Sequence, residues 1–289
     1  MSRTPPRLTD RRALTLHRRR AARAPVDFLH RAAAGEVLDR LGEVNRRFSK
    51  AAVIGPMGDL WHETLAGAVD EVALAEDAEV LGLAPDSLDL AVHALALHWA
   101  DDPVGQLVQM RHALRPDGLM IAVLFGGESL AELRAVIAEA EVAARGGLSP
   151  RVAPMGEIRD LGGLLQRAGF ALPVADSHSL TVTYADAAAL MRDLRGMGET
   201  NALAGRDRRP LPRGFFADVD RRYRAAFPAD DGPGRLRATV EFVVLTGWKP
   251  APGQQQPLRP GSAQARLADA LGAPELRAGD APGRDTGDN

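Results

Sequence analysis

Two glycines, Gly55 and Gly58, follow a short apolar stretch at residues 51–54 and come just before a helical pattern. A buried strand, a glycine turn and a helix in this order place a cofactor at the carboxyl end of the strand, against the helix N-terminus. Asp59 has two interpretations: it offers a charge to a ligand, or it caps the helix, which we favour. The sequence predicts a cofactor-binding turn that contains Gly55, Gly58 and Asp59.

Two histidines, His93 and His98, lie beyond the third predicted strand, on the side of the sheet where the glycine turn is expected. An imidazole at this edge is suited to contact a substrate or to act as a general base. The pair also has a spacing that a metal site can use, but no third ligand accompanies it. We therefore predict His93 and His98 as candidate catalytic residues and predict no metal site.

Composition narrows the class of protein. The chain has 289 residues, 45% hydrophobic and 26% charged, with a formal net charge of −2 and no cysteine. The charge gives no indication of nucleic acid binding, and the lack of cysteine excludes disulfides and thiolate zinc sites. No apolar run approaches the ~20 residues that span a bilayer, and none follows the arginine-rich N-terminus. We predict a cytoplasmic protein without a transmembrane segment.

The elements that would position these residues alternate along the chain. Apolar runs predict strands at residues 50–55, 71–75, 88–92, 119–125, 170–184 and 237–248. Helical spacing predicts helices at residues 27–41, 59–69, 101–114, 129–144, 157–168, 185–197 and 213–227. This alternation is typical of an α/β fold with a largely parallel, Rossmann-like sheet and helices on both faces.

The composition also divides the chain into three parts. Residues 1–26 form a basic N-terminal arm, residues 27–249 the domain, and residues 250–289 a tail rich in Pro, Gly, Gln and Ala that we predict to be largely disordered. Residues 185–234 separate the last two predicted strands. We predict them to be a helical insertion that covers a site or contacts a partner.

Several segments together resemble one family. They are Leu95-Ala96-Leu97-His98-Trp99, Leu114-Arg115-Pro116-Asp117-Gly118, Gly126-Gly127-Glu128-Ser129, Ser149-Pro150-Arg151-Val152-Ala153-Pro154 and Gly196-Met197-Gly198-Glu199-Thr200-Asn201. Across residues 8–262 the chain is similar to class I S-adenosylmethionine-dependent methyltransferases. It resembles the branch of the biotin-synthesis malonyl carrier-protein methyltransferases and, more closely, of the mitochondrial complex I assembly factors associated with arginine hydroxylation.

The resemblance carries several expectations. It implies a seven-stranded sheet whose last strand is antiparallel, and S-adenosylmethionine bound at the carboxyl end of the first strand. Members of the family transfer methyl groups to carboxylates or proteins. The resemblance further implies that a respiratory complex I subunit is the partner.

The glycine turn departs from the family pattern, Asp-x-Gly-x-x-Gly-Gly. Here Val53 replaces the first-strand acid and Asp59 replaces the last glycine. A carboxylate at the first position would bind the ammonium group of the ligand, and losing such a charge-assisted hydrogen bond costs roughly 1.5–3 kcal/mol. The pattern therefore predicts weakened binding of S-adenosylmethionine.

The chain between Gly58 and Asp77 is also too short for a complete unit, so one strand–helix pair is missing. Two alignments fit this segment. In the one that we prefer, Asp77 and Ala78 match the loop at the adenine edge of the cofactor and the ribose-binding acid is deleted. In the other, the strand at residues 71–75 moves beside the first strand, and Glu76 or Asp77 becomes the ribose-binding acid. Asp77 as a solvated loop carboxylate is the third interpretation.

Two functions from different classes follow. The first is an S-adenosylmethionine-dependent methyltransferase-family enzyme that acts on a protein substrate in complex I assembly. The second is a non-catalytic assembly or binding protein of the same fold that has lost the cofactor, as Val53 and Asp59 suggest. A weaker third hypothesis, that arginine hydroxylation persists, rests on the resemblance alone.

Overall fold

A computed structural model describes residues 7–232 and 234–254 of the chain. It divides into one unit at Met1–Pro252 and a second at Gly253–Asn289, and the description below concerns the first. Most of the tail that we predict to be disordered, residues 255–289, lies outside the described residues. The boundaries of the arm and of the tail stay predictions.

The sheet has six strands, which are β1 (Phe48–Ile54), β2 (Val69–Ala75), β3 (Leu88–Ala94), β4 (Leu114–Phe125), β5 (Ala171–Tyr184) and β6 (Leu236–Trp248). Their order is β2-β1-β3-β4-β6-β5. The first four are parallel, whereas β6 is antiparallel to both β4 and β5. The predicted α/β sheet with an antiparallel last strand is confirmed.

The helices are α1 (Arg11–Ala21), α2 (Phe28–Glu43), α3 (Gly58–Leu65), α4 (Pro103–Ala113), α5 (Ala131–Arg145), α6 (Ile158–Ala168), α7 (Ala187–Met197) and α8 (Phe215–Ala226). Successive side chains along a strand point to opposite faces of the sheet, and both faces of the central strands are apolar, so each face forms its own core. One core packs α2 and α3 against the sheet, and the other packs α4 and α6. Helices on both faces are therefore confirmed.

The edge of the sheet shows where the missing strand–helix pair belongs. β2 pairs directly with β1, with Ala75 opposite Ile54, and it is an edge strand among the described residues. The family resemblance implies seven strands, and the described residues form six. The position of β2 is the one that the second alignment predicts, so our preference for the first alignment is wrong on this point. A strand that follows a single helix after β1 pairs with β1, because no other strand fills that place.

The predicted helical insertion lies between β5 and β6, as expected. Its helices α7 and α8 pack with α5 around Tyr223 and Phe215, against the adjoining ends of β5 and β6. The loop that follows α7 returns to the carboxyl edge of the sheet, where Glu199 contacts Trp99. The insertion therefore covers the edge at which the glycine turn lies.

The N-terminal arm contains a helix that the sequence analysis does not assign. The side chain of Asp10 caps α1 by accepting from the amide of Ala13. Leu14 is buried in a small apolar cluster with Trp99 and Leu203. α1 thus packs over the carboxyl edge of the sheet and against the loop that follows α7, where Nδ1 of His17 lies 3.1 Å from the carbonyl oxygen of Thr200.

Candidate functional site at the carboxyl edge of the sheet

The glycine turn forms as predicted between β1 and α3. Gly55 has φ +140°, and a Cβ atom there would lie 2.4 Å from the carbonyl oxygen of Ala94. Its amide donates to the carbonyl of Ala75, which ties the turn to the end of β2. Only glycine combines this dihedral angle with so close an approach. The turn is therefore clamped between the carboxyl ends of β2 and β3.

The N-terminus of α3 differs from the prediction at Asp59. The N-cap residue is Met57, in the left-handed region at φ 56°, and it makes no side-chain capping hydrogen bond. Asp59 is exposed and lies within the first turn of α3. Our interpretation of Asp59 as the cap is wrong, because the turn puts the cap position two residues earlier. The amides at the start of α3 have no side-chain cap and remain suited to bind an anion or a carboxylate.

Asp77 lies just beyond the end of β2 and is buried, so it is not a solvated loop carboxylate. It pairs with two guanidinium groups from α1: Arg11, at 3.3 Å, and Arg18. The carbonyl of the neighbouring Ala78 accepts a hydrogen bond from Gln106 at 3.0 Å. Asp77 therefore occupies the position expected for a ribose-binding acid, and its ion pairs hold α1 against the edge of the sheet.

His93, the last but one residue of β3, is fully buried. Its Nε2 lies 2.8 Å from Oε1 of Gln106, so Nε2 donates and Nδ1 is an acceptor. Burial lowers the pKa of His93 to about 4, and the ring is neutral at pH 7. His93 faces α4 rather than open space, which makes it a poor candidate for contact with a protein substrate.

His98 lies in a short 3-10 turn, Leu97–Trp99, directly after β3. Its Nε2 is 3.1 Å from Oε2 of Glu199, and the indole Nε1 of Trp99 donates to the same oxygen at 2.7 Å. Since a carboxylate only accepts, Nε2 of His98 carries the hydrogen and its Nδ1 is left as an acceptor. The structure thus gives His98 a partner that sequence reasoning did not identify.

Glu199 is the functional candidate that sequence reasoning missed. Its carboxylate is almost entirely buried. Burial opposes ionisation, but electrostatic attraction and a hydrogen bond from His98, together with Arg18 and Trp99, lower the pKa of Glu199. The available signal was the segment Gly198-Glu199-Thr200-Asn201, which carried the family resemblance but gave no indication that it folds back onto His98.

Five buried polar atoms around this edge have no hydrogen-bond partner among the described residues. They are Nε and Nη2 of Arg18, Nδ1 of His93, Nδ1 of His98 and Oε1 of Glu199. Buried polar groups are normally paired, so a cluster without partners indicates a place for a polar ligand or ordered water. The other buried histidine, His30, does not belong to this set, because its Nδ1 accepts from Trp61 at 3.1 Å.

A cavity of about 270 Å³ adjoins the cluster. Its walls come from α5, α7, α8 and the segment before α6, and Phe125, Leu133, Met155 and Phe215 are among its apolar residues. Trp99 and Glu199 also line it. A carboxylate at one wall of an apolar cavity is an arrangement that orients a ligand.

Two further classes of site are not seen in the part of the chain that the structure describes. Over residues 7–232 and 234–254, no three His, Asp or Glu side chains come together in a way that could hold a metal ion. Within the same ranges, every helix is too short or too polar to cross a bilayer.

Comparison of the sequence with those of known proteins assigns the chain to a family. A model of a methyltransferase domain matches residues 52–122. The chain is 31% identical over 275 residues to "Arginine-hydroxylase NDUFAF5, mitochondrial" of Homo sapiens, a match that covers 86% of this chain and 79% of that protein. The protein of the same name from Dictyostelium discoideum is 34% identical over 194 residues, 67% of this chain but only 44% of the relative.

A second group of relatives has another name. "Malonyl-[acyl-carrier protein] O-methyltransferase" of Laribacter hongkongensis is 37% identical over 175 residues, which is 61% of this chain and 56% of that protein. The names of the NDUFAF5 relatives include a mitochondrial location. This finding contradicts our prediction of a cytoplasmic protein, so that prediction is wrong. It rested only on the lack of a recognisable signal or membrane span. The methyltransferase-domain match and the extent of the human match show that the chain belongs to the NDUFAF5 family of methyltransferase-fold proteins.

Proposed function

We propose that this protein binds S-adenosylmethionine at the carboxyl edge of its sheet and modifies a side chain of a protein substrate during assembly of respiratory complex I. One observation carries the proposal: the match to the human NDUFAF5 protein extends over 275 residues. A match of that length, which covers 86% of this chain, includes both the turn and the helical insertion. The name of the relative makes an arginine side chain the first substrate to test.

The residues at the edge suit S-adenosylmethionine in three respects. The turn at Gly55 brings backbone amides close to a ligand without a side chain in the way. The first amides of α3 have no side-chain cap. The buried donors of Arg18 and the buried acceptor Oε1 of Glu199 have no partners among the residues described. The charged end of the cofactor offers groups of both kinds.

When bound, S-adenosylmethionine supplies an electrophilic methyl group. The protein contributes positioning and proton transfer. His98 is held by Glu199 with the hydrogen on Nε2, so its buried Nδ1 is free to take a proton from a substrate nucleophile. Phe125 packs against the ring of His98 at 5.1 Å between centroids and fixes its plane. The apolar cavity excludes water from the substrate side chain.

Calorimetric titration of the full chain with S-adenosylhomocysteine tests cofactor binding. We expect saturable binding in the micromolar range, weaker than in a site with an intact first-strand acid. Absence of heat at high micromolar ligand would refute cofactor binding and favour the non-catalytic assembly protein. Mass spectrometry of a complex I subunit incubated with the protein and S-adenosylmethionine then distinguishes a gain of CH₂ from a gain of oxygen. Only the first supports methyl transfer.

A further inference from the structure

The end of β1 carries no charge for the ammonium group of an amino-acid ligand. Val53 occupies the position of the expected acid, and it is buried in the apolar core between β2 and β3, opposite Leu74 and Val92. A carboxylate introduced there would have to leave water for an apolar environment. The charge must therefore come from another element if the site is to hold such a ligand.

Glu199 brings a carboxylate to this edge from the helical insertion. One oxygen, Oε2, is fully engaged by His98 and Trp99. The other, Oε1, is buried and has no partner among the described residues. Because both donors hold the same oxygen, the carboxylate is fixed in orientation while Oε1 keeps its full capacity to accept.

Arg18 brings the opposite charge from α1. Its Nη1 donates to Asp77, whereas its Nε and Nη2 are buried without partners in the described part of the chain. The side chain passes close to the insertion: a Cβ atom on Gly198 would lie 3.0 Å from Cγ of Arg18. The free donors of Arg18 and the free acceptor of Glu199 thus come from neighbouring positions at the same edge.

The two side chains complement the two ends of a zwitterion. A guanidinium with two free N–H groups matches a carboxylate, and a carboxylate oxygen matches an ammonium. The local charges also balance, since Arg11 and Arg18 face Asp77 and Glu199. A ligand end with no net charge fits such a balanced set without adding an uncompensated buried charge.

We propose that Glu199 and Arg18 hold the α-amino-acid end of S-adenosylmethionine, with Glu199 replacing the acid that β1 lacks. The proposal rests on the proposed function, because it assumes that this cofactor binds. It assigns the insertion loop and the N-terminal helix to the cofactor site. Arg18 receives the carboxylate of the ligand, and Oε1 of Glu199 receives its ammonium group.

Two ligands separate this proposal from general effects on the fold. S-adenosylhomocysteine has the amino-acid end, and 5′-methylthioadenosine has the nucleoside without it. Calorimetric dissociation constants for both are measured with the wild-type chain, with Glu199→Gln and Arg18→Gln, and with Glu63→Gln as a matched control. Glu63 is exposed on α3 and makes no ion pair in the regions described. Thermal unfolding shows that each variant is folded.

We expect Glu199→Gln and Arg18→Gln each to weaken binding of S-adenosylhomocysteine by about tenfold or more. Binding of 5′-methylthioadenosine is expected to change less than about twofold, within the usual effect of a variant that loses no contact with the ligand. Glu63→Gln should bind both ligands like the wild type.

Each other outcome has a definite meaning. Equal losses for both ligands, or no loss for either, would overturn the assignment of Glu199 and Arg18 while leaving cofactor binding in place. Loss of substrate modification by Glu199→Gln with unchanged binding of S-adenosylhomocysteine would assign Glu199 to the apolar cavity instead. If the wild-type protein binds neither ligand, the proposed function itself fails. This outcome is distinct from a binding defect that is seen only in the variants.

Discussion

Oε2 of Glu199 lies 3.1 Å from Nε2 of His98, although the two residues are 101 positions apart in the chain. The contact joins the end of β3 to the loop after α7. It also orients the imidazole, because a carboxylate partner requires the hydrogen on Nε2. The ring nitrogen of His98 that stays free to accept a hydrogen bond or a proton is therefore Nδ1, and not Nε2.

Replacing His98 tests this orientation in the proposed reaction. We expect His98→Asn to lower turnover of the protein substrate by about 10²- to 10⁴-fold, the usual contribution of a positioned general base. The dissociation constant of S-adenosylhomocysteine should rise far less than turnover falls, because Trp99 still donates to Oε2 of Glu199. The exposed His62, on α3, provides the control variant His62→Asn, which should keep wild-type turnover. Full activity of His98→Asn would remove His98 from the mechanism.

The glycine at the turn gives a prediction about stability. Gly55→Ala adds a Cβ atom 2.4 Å from the carbonyl oxygen of Ala94 at a residue with φ +140°. We expect a loss of roughly 3 kcal/mol in the free energy of unfolding, from backbone strain and overpacking together. Gly67→Ala, where the added atom meets nothing within 4 Å, should change it by less than about 0.5 kcal/mol. Urea denaturation measures both, and equal effects would contradict the clamped turn.

Asp77 gives a prediction about the N-terminal helix. Asp77→Asn removes the negative partner of Arg11 and Arg18 and leaves both guanidinium groups unmatched at a partly buried site. Breaking a buried pair from one side costs about 3–5 kcal/mol, and we expect the lower end because Arg11 is one-third exposed. Amides of α1 should exchange with solvent faster in hydrogen-exchange measurements.

The surface pair of Asp70 and Arg47 is the control for this effect. Both side chains are mostly exposed, so Asp70→Asn should change the free energy of unfolding by less than about 1 kcal/mol. Protection of α1 that is the same in Asp77→Asn as in the wild type would show that the apolar contacts of Leu14 alone hold the helix.

Glu141 predicts a dependence of stability on pH. Burial opposes its ionisation, but hydrogen bonds from Arg151 and Ser149 outweigh burial and lower the pKa of Glu141 from 4.5 to about 2. A carboxyl group with a depressed pKa stabilises the folded state above the pKa of the unfolded chain, and this stability is lost as the pH falls towards the folded pKa. At pH 7 the ionised carboxylate therefore stabilises the folded state by roughly 2–3 kcal/mol.

Urea denaturation of wild type and Glu141→Gln between pH 7 and pH 2 measures this contribution. The difference in the free energy of unfolding should be constant above about pH 5 and should shrink steadily below it. Glu139, on the same helix, is mostly exposed and pairs with Arg222 at 3.2 Å. Glu139→Gln should therefore show a small difference at every pH. If the difference in the free energy of unfolding between wild type and Glu141→Gln did not depend on pH, the negative charge of Glu141 would not be what stabilises its contact with Arg151 and Ser149.

If the cavity binds the substrate and the glycine turn binds the cofactor, a variant that fills the cavity should affect turnover but not cofactor binding. Ile137 on α5 lines the cavity, and Ile137→Trp would fill part of its 270 Å³. We expect turnover of the protein substrate to fall at least tenfold, roughly the cost of misplacing a substrate, with unchanged binding of S-adenosylhomocysteine. Val142→Trp introduces the same side chain at an exposed position of the same helix and should leave both properties intact. Equal turnover in the two variants would exclude the cavity as the substrate site.

Local patterns were sufficient for most of the fold. The apolar run at residues 119–125 predicted the buried part of β4, and helical spacing predicted α2 within a few residues of its observed ends. The glycine turn was located correctly because Gly55 and Gly58 punctuate the chain directly. Asp59 was misjudged for a local reason too: with Met57 in the left-handed region, the helix begins earlier than the polar residue suggests.

The sequence alone determined the order of strands and helices apart from α1, the turn after β1 and the shortage of one strand–helix pair, since all three depend on neighbouring residues and chain length. Only the tertiary structure decided that β2 lies beside β1, that Asp77 is bound by Arg11 and Arg18, and that Glu199 meets His98. These contacts join residues far apart in the chain. Their formation depends on how the helices and the insertion loop pack over the sheet, and the periodicity of any single segment carries no record of that packing.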